Sequence, residues 1–143
     1  MTRVYVDIVG DLFHIGHINL FKQAKLLFDD TYLIVGIHSD RDVESYKRTP
    51  IICQENRYEV IRHCCLVDEI IEAAPLCLDT NFINKNNIDY VVHGDDMSAS
   101  LEDQHKIIRK MNIVKYVEYT KGISTSQIIN RIQSRKTSYN KEL

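Results

Sequence analysis

The sequence has no long apolar run, and no segment of it approaches the roughly 20 consecutive apolar residues that a membrane-spanning helix requires. The amino terminus also lacks a signal-like apolar stretch. Neither sign of charge is in large excess, because 18 basic residues stand against 20 acidic ones and the net charge is −2. Such a balance gives no broad electrostatic surface for nucleic acid or membrane. We therefore expect a cytoplasmic protein with no integral membrane segment and no nucleic-acid partner.

Cysteine is scarce, and its spacing excludes the common metal and redox motifs. The four cysteines form no Cys-x-x-Cys pair, and none has a histidine at the spacing of zinc ligands. We expect reduced residues that are mostly buried in the core. These residues are Cys53, Cys64, Cys65 and Cys77.

Hydrophobic periodicity predicts an α/β domain. At 143 residues the chain is long enough for one core, and we expect a single domain over residues 1–133 followed by a polar tail at 134–143. β-branched runs typical of buried parallel strands alternate with segments of helical spacing, which predicts a five-stranded, mostly parallel sheet. The predicted strands are residues 3–8, 31–37, 67–71, 88–93 and 113–119. The predicted helices are residues 16–28, 40–46, 54–65, 79–86, 98–111 and 127–132.

The strongest local pattern is His14-x-Gly16-His17, which follows the first predicted strand at the start of a helix. Two imidazoles three residues apart lie on one face of a helical turn, and glycine lets the backbone approach a ligand closely. A helix amino terminus adds unpaired N–H groups and positive potential. These properties favour a site for a transferring phosphoryl group, in which the histidines donate hydrogen bonds and are not nucleophiles.

Three further motifs follow strands or precede a helix at the same predicted edge of the sheet. Lys47 and Arg48 lie in a basic loop, Asp96 follows the fourth strand, and Ser124 and Thr125 begin the last helix. A lysine neutralises phosphate oxygens, and hydroxyls at a helix start can bind phosphate as well as cap the helix. Each motif also has an ordinary structural interpretation as a solvated turn or a cap.

These patterns resemble those of the His-x-Gly-His nucleotidyltransferases, and in particular the cytidylyltransferases. Class I aminoacyl-tRNA synthetases share the signature but need a much longer chain and a Lys-Met-Ser-Lys-Ser-type loop, which this sequence lacks. The order and spacing are most similar to those of the phosphoethanolamine cytidylyltransferases. The matching segments are residues 7–17, 36–40, 47, 54–58, 67–75, 89–96 and 120–126.

The resemblance implies a Rossmann-like three-layer fold, transfer of CMP from CTP to a phosphoalcohol, with phosphoethanolamine expected, and a homodimer. Mg²⁺ would accompany CTP, and no side chain is assigned as its ligand. The implied catalytic residues are His14, His17 and Lys47. The implied nucleotide-binding residues are Val9, Gly10, Asp11, Gly16, Asp96, Thr120, Gly122, Ile123, Ser124 and Thr125. The implied phosphate-binding or substrate-binding residues are Lys47, Arg48, Arg57 and Asp68.

Three positions depart from the family pattern. Ile8 replaces a glycine, Gly10 replaces an aromatic residue, and Tyr119 replaces an arginine before Thr120. Since an arginine offers two parallel charge-assisted bonds to phosphate and a tyrosine does not, one alternative is a degenerate domain that binds nucleotide and barely reacts. A second alternative is an adenylyltransferase of the same superfamily, which would share His14 and His17.

Overall fold

The computed structural model describes residues 1–95 and 103–135, and its strands form one parallel sheet in the order β3-β2-β1-β4-β5. Every strand pair in it is parallel, which confirms the predicted α/β architecture. The strands are β1 (Thr2–Ile8), β2 (Thr31–Ile37), β3 (Glu69–Glu72), β4 (Tyr90–Gly94) and β5 (Val114–Val117). The helices are α1 (Ile15–Leu26), α2 (Asp40–Glu44), α3 (Gln54–Arg62), α4 (Thr80–Lys85), α5 (Lys106–Lys110) and α6 (Thr125–Ser134).

The sheet lies between two layers of helices because its central strands are apolar on both faces. On one face, Phe21 of α1 and Ile61 of α3 pack in a cluster with side chains of β1 and β2. On the other face, Ile83 of α4 and Ile108 of α5 pack with Tyr5 and its neighbours. The result is the three-layer arrangement implied by the resemblance, with β1 at its centre.

The strand order reverses at β1, which pairs with β2 on one side and with β4 on the other. In open parallel sheets, ligands bind beyond the carboxyl ends of the strands at such a reversal. The loop after β1 leads directly into α1 and carries the His-x-Gly-His pattern. The fold therefore places that pattern at the position where a crevice is expected.

Some predicted elements fall partly or wholly outside the described residues. Of the helix predicted at 98–111, the structure describes α5 together with the residues just before it, and Asp96 lies outside the described residues. The predicted tail lies outside them from residue 136 onward. None of the helices in the described part of the chain is long and apolar enough to cross a membrane.

The prediction that the cysteines are mostly buried is wrong. Cys53, Cys65 and Cys77 are exposed and Cys64 is partly buried, and all four are free thiols. The reason is their position in the fold. Cys53 is the N-cap residue of α3 and Cys65 lies beyond its carboxyl end, so neither lies on the apolar face that α3 turns toward the sheet.

Asp68, which the resemblance assigns to phosphate or substrate binding, lies at the opposite edge of the sheet from the other predicted site residues. It directly precedes β3, at the amino end of the parallel strands. Its carboxylate accepts a hydrogen bond from the backbone N–H of Leu33, 2.7 Å away, and pairs with Lys25. Asp68 therefore holds β3 beside β2 and has no access to the crevice.

We expect Asp68→Ala to lower the free energy of unfolding by about 1 kcal/mol, since it removes one backbone hydrogen bond and a partly exposed ion pair. Urea denaturation measures this change. Nucleotide binding should stay as it is in the unaltered protein, because Asp68 is remote from the crevice. A variant of unchanged stability that binds nucleotide less tightly would contradict this placement.

Candidate active site

His14 and His17 form a reciprocal cap at the start of α1. His14 is the N-cap residue, and its Nδ1 accepts a hydrogen bond from the backbone N–H of Gly16 at 3.0 Å. The Nδ1 of His17 accepts in turn from the backbone N–H of His14 at 3.1 Å. The two ring centres are 4.0 Å apart. Both rings therefore have a fixed orientation before any ligand arrives.

The two caps determine which nitrogen of each ring carries the proton. A neutral imidazole has one donor and one acceptor nitrogen, and here Nδ1 accepts in both rings, so each Nε2 carries the hydrogen. Burial and the nearby His14 together lower the pKa of His17 to about 4, and burial also lowers the pKa of His14. Near neutral pH, both rings are therefore neutral Nε2–H donors.

Close packing keeps these rings in place. Phe13 stacks on His17 with ring centres 5.3 Å apart. A Cβ atom added at Gly16 would lie 2.7 Å from Cε1 of His14, a distance too short for two carbon atoms. Glycine is thus required between the two histidines because the ring of His14 lies against the backbone there.

The turn between β1 and His14 is held by a buried carboxylate. Asp11 is 4% exposed, and its two carboxylate oxygens accept hydrogen bonds from the backbone N–H groups of Ile51 and Ile52, each at 2.9 Å. Gly10 and Leu12 both have left-handed backbone conformations, with φ of 73° and 49°. The left-handed φ at Gly10 favours a residue without a Cβ atom, which accounts for glycine at this departure from the family pattern.

Arg57 ties several loops of the crevice together from inside the protein. The residue is 1% exposed, and its Nη2 pairs with Asp40 at 2.7 Å. Its other nitrogens donate to the backbone carbonyls of Val9, His38 and Ile52. The guanidinium group of Arg57 is thus buried and bonded to the loops themselves, and direct phosphate binding by Arg57 stays a prediction.

Lys47 and Arg48 extend into the crevice from the loop after α2, as the sequence predicts. Burial and the neighbouring Arg48 charge lower the pKa of Lys47, while Asp11 acts in the opposite direction. The Nη1 of Arg48 donates to the hydroxyl of Ser126 at 3.3 Å. The loop thus brings two cations up to the first turn of α6.

The start of α6 has a hydroxyl cap and a tie to the turn after β1. Ser124 is the N-cap residue, and its hydroxyl accepts from the backbone N–H of Gln127 at 3.2 Å. The hydroxyl of Thr125 donates to the backbone carbonyl of Asp11 at 2.9 Å. The amino ends of α1 and α6 therefore meet at the same point, and both contribute positive potential there.

The turn before α6 completes this wall. Thr120 accepts a hydrogen bond from the side-chain amide of Asn19 at 3.2 Å. Gly122 has a φ of 86°, and Ile123 lies close enough to Gly16 that a Cβ there would be 3.7 Å from its Cγ2. The turn therefore packs against the first turns of α1.

A cavity of about 400 Å³ opens between these elements, which is an ordinary size for a site that binds a small molecule. A smaller hollow of about 190 Å³ adjoins it and shares His17, Lys47, Arg48 and Thr125. The predicted residues that line the larger cavity are His14, Gly16, His17, Lys47, Arg48, Thr120, Ile123, Ser124 and Thr125. Val9, Gly10 and Asp11 line the smaller one.

Seven residues of the cavity wall were not among the predicted site residues, and three of them carry polar side chains from the ends of strands or the loop after β5. Asp7 and His93 line it from the ends of β1 and β4, and Tyr119 lines it from the loop after β5. The sequence contained a signal for Asp7 and His93, because each lies at the carboxyl end of a predicted strand and next to a motif of the candidate site. The backbone N–H of Tyr119 donates to Asp95 at 2.9 Å, so Asp95 serves to position that loop.

The family model described as cytidylyltransferase-like matches residues 11–131, which is most of the chain. The chain belongs to this cytidylyltransferase-like family. Most of the residues that line the site lie within the matched range, while Asp7, Val9 and Gly10 precede it.

Named relatives of this cytidylyltransferase-like chain act on two different phosphoalcohols. It is 40% identical over 142 residues to choline-phosphate cytidylyltransferase 2 of Arabidopsis thaliana, covering 96% of this chain and 47% of that protein. It is 39% identical over 134 residues to the probable ethanolamine-phosphate cytidylyltransferase of Encephalitozoon cuniculi, covering 92% and 41%. The chain therefore spans less than half the length of these relatives.

A solved structure shares the fold of this cytidylyltransferase-like chain. The lipopolysaccharide core biosynthesis protein from Thermoplasma volcanium matches with a TM-score of 0.65 and 25% sequence identity. The match covers 86% of this chain and 99% of that one. The arrangement of strands and helices is thus also that of a solved protein.

We expect ¹⁵N NMR of the histidine rings to show His17 as the Nε2–H tautomer at neutral pH, with a titration midpoint near pH 4. Because its pKa in the folded state is lowered, His17 contributes stability above pH 6.5 that is lost as the pH falls toward about 4. The variant His17→Asn lacks the ring resonance of His17 and so identifies it in the spectrum. The same variant should lose less stability than the unaltered protein as the pH falls. A midpoint near 6.5, or an Nδ1–H tautomer, would contradict the capping geometry.

Proposed function

We propose that this protein transfers a cytidylyl group from CTP to a phosphomonoester alcohol, giving a CDP-alcohol and pyrophosphate. The observation that carries the proposal is the meeting of two capped helix starts, α1 with its paired histidines and α6 with Ser124 and Thr125, in one cavity with Lys47. This set supplies hydrogen-bond donors and positive charge. It matches a reaction in which both reactants are anions.

The nucleophile in this proposal is an oxygen of the substrate's own phosphate, which carries a charge of roughly −1.5 to −2 at pH 7. That oxygen forms a bond to the α-phosphorus of CTP. The bond from the α-phosphorus to the oxygen bridging the β-phosphorus breaks, and pyrophosphate leaves with that electron pair. No proton needs to be removed, so the protein's task is to bring the two anions into line and offset their repulsion.

Different side chains of the cavity would bind the two anionic reactants. His14 and His17 would donate their Nε2–H groups to oxygens of the α- and β-phosphates, and Lys47 would lie between the nucleotide and the second substrate. Ser124 and Thr125 would present the amino end of α6 to the triphosphate. Arg57 would act without contacting the ligand, because its hydrogen bonds hold the loops that carry these groups.

Mg²⁺ would arrive with CTP in this proposal. Its usual ligands are phosphate oxygens, water and one or two carboxylates, and Asp7 and Glu118 are the carboxylates among the described residues that line the larger cavity. Asp11 commits both of its oxygens to backbone N–H groups. This donor set fits an ion carried mainly by the nucleotide, where it would reduce the negative charge of the triphosphate.

Phosphoethanolamine is the substrate we propose, and the motif order of the sequence supports it. The relatives with similar identity include both choline-phosphate and ethanolamine-phosphate enzymes, so phosphocholine is tested beside it. The homodimer and the cytoplasmic location stay predictions.

A second candidate function is supported by Tyr119. A tyrosine at this point of the cavity wall offers no charged donor to phosphate, and losing one such donor typically lowers the rate by about 10²–10³. A domain that binds CTP but scarcely reacts would have this composition. Arg48 lines the same cavity and supplies a guanidinium group there, which favours the transferase.

We expect the purified protein to release pyrophosphate with Mg²⁺, CTP and phosphoethanolamine, and to release less with ATP, phosphocholine or glycerol 3-phosphate. His17→Ala should lower the turnover at least about tenfold because it removes a donor to the transferring group. Turnover and circular dichroism are measured together, and His63→Ala is the matched control because His63 is exposed on the surface.

Three results would contradict the proposal in different ways. Release with ATP in preference to CTP would make the protein an adenylyltransferase. A thermal shift with CTP but no release with any pair would favour the non-catalytic binding domain. Unchanged turnover in a folded His17→Ala would remove His17 from the mechanism.

A further inference from the structure

Residues 118–120, between β5 and α6, form a partition one segment thick between two hollows. They line the larger cavity on one side and an outer hollow of about 480 Å³ on the other. Just beyond them, a Cβ atom added at Gly122 would meet nothing within 4 Å among the described residues other than its chain neighbours. Because no packed core lies behind this partition, polar contacts have to hold it in position.

Gln23 of α1 binds the backbone of the partition with both ends of its side-chain amide. Its Nε2 donates to the backbone carbonyl of Glu118 at 2.8 Å, and its Oε1 accepts from the backbone N–H of Glu118 at 3.1 Å. β5 is an edge strand of the sheet, and the carbonyl of Val117 accepts from the backbone N–H of Asp95 on the β4 side. The next residue therefore directs its backbone groups outward, and the Gln23 amide occupies the position that a neighbouring strand would fill.

Two further hydrogen bonds hold the same segment. Asn19 lies one turn before Gln23 on the same face of α1, and its amide donates to the hydroxyl of Thr120 at 3.2 Å. On the other side, the backbone N–H of Tyr119 donates to the carboxylate of Asp95 at 2.9 Å. The partition is thus held between α1 and the end of β4.

The Gln23 contact connects the two helix starts of the candidate site. α1 begins at the paired histidines, and Gln23 lies about 9 Å further along its axis than His17. The partition leads into the turn before α6, whose first residue Thr125 donates to the backbone carbonyl of Asp11. The start of α6 is therefore tied to the α1 side of the site at two separated points, at Asp11 and at Gln23.

We propose that Gln23 is a positioning residue for the candidate active site. Its amide fixes the partition at Glu118 and thereby sets the start of α6 relative to the histidines of α1. Precise placement matters because a displacement of about 1 Å caused by a remote substitution can lower a rate about 100-fold. The effects of Gln23 on CTP binding and turnover rest on the proposed function, whereas its effect on the backbone is measured without any ligand.

Amide hydrogen exchange of the ligand-free protein tests this role. Gln23→Met keeps the side-chain length and a good helix former and removes both hydrogen bonds to Glu118. Loss of one hydrogen bond changes an equilibrium constant by about two- to tenfold, so we expect about tenfold faster exchange at the Glu118 amide. Exchange should also be faster at Gln127 and Ile128, whose N–H groups bond to Ser124 at the start of α6.

The same variant should bind CTP about tenfold less tightly, because binding then has to order the partition. In the transferase assay, kcat/KM should fall by up to about 100-fold. Gln133→Met is the matched control, since it replaces an exposed glutamine near the end of α6. Its exchange rates, CTP affinity and turnover should equal those of the unaltered protein.

Gln23→Glu separates the hydrogen bonds from side-chain size. At neutral pH one oxygen of the introduced carboxylate faces the carbonyl of Glu118, whereas the protonated carboxyl group donates and accepts as the amide does. The ratio of the variant's CTP affinity to that of the unaltered protein should therefore rise as the pH falls from about 8 to about 5.5, because two facing acceptors raise the pKa of the introduced group. The ratio for Gln23→Met should stay constant. The charged side chains bordering the outer hollow, Lys22, Glu118 and Lys121, are common to all these proteins, so the ratio removes their contribution.

Two results would overturn the proposal. One is unchanged exchange at Gln127 and Ile128 in a folded Gln23→Met, which would confine Gln23 to a local contact with Glu118. The other is a Gln23→Glu ratio that does not change with pH. If Gln23→Met does not fold, exchange in Gln23→Glu at the two pH limits makes the same comparison. If the unaltered protein does not bind CTP, the proposed function fails, and the ligand-free exchange still decides the role of Gln23.

Discussion

The active edge of this protein depends on one buried guanidinium group. Arg57 extends from α3 and bonds to the loop after β1 through Val9, to the loop after β2 through His38 and Asp40, and to the segment before α3 through Ile52. A buried cation is tolerated only when its donors are paired, and here the partners are the backbone of the crevice itself. The same contacts that satisfy Arg57 therefore bring the ends of β1 and β2 together.

The side chains that line the cavity are held in place by the loops that Arg57 connects. Asp11 holds the segment at residues 51–52 with its carboxylate, while its backbone carbonyl accepts from Thr125 at the start of α6. The histidines of α1 satisfy each other's helix-end N–H groups, which leaves their Nε2–H atoms directed away from the cap. Donors fixed before a ligand binds need little reorganisation as charge develops, which is the basis of electrostatic stabilisation in active sites. The donors in this cavity are thus positioned largely by backbone geometry, and Lys47 and Arg48 add positive charge.

Much of this could be predicted because it is local in the sequence. The β-branched runs predicted the parallel strands, and the pattern of His14, Gly16 and His17 predicted the start of α1. What could not be predicted depends on contacts between distant elements. Arg57 and Asp68 matched positions of family motifs, but a motif match does not show which way a side chain points, and both are bonded to the fold itself. Gln23 bonds to Glu118, 95 residues further along the chain, so no local spacing could reveal that contact.

Amide hydrogen exchange in Arg57→Gln, measured with and without CTP, tests the central claim most directly. If Arg57 organises the loops, exchange at residues 9–11, 38–40 and 51–53 will be faster in the variant than in the unaltered protein even without CTP, and CTP affinity will fall as a consequence. If exchange without CTP is unchanged and only CTP affinity falls, Arg57 is a direct phosphate ligand and this account of the active edge is wrong.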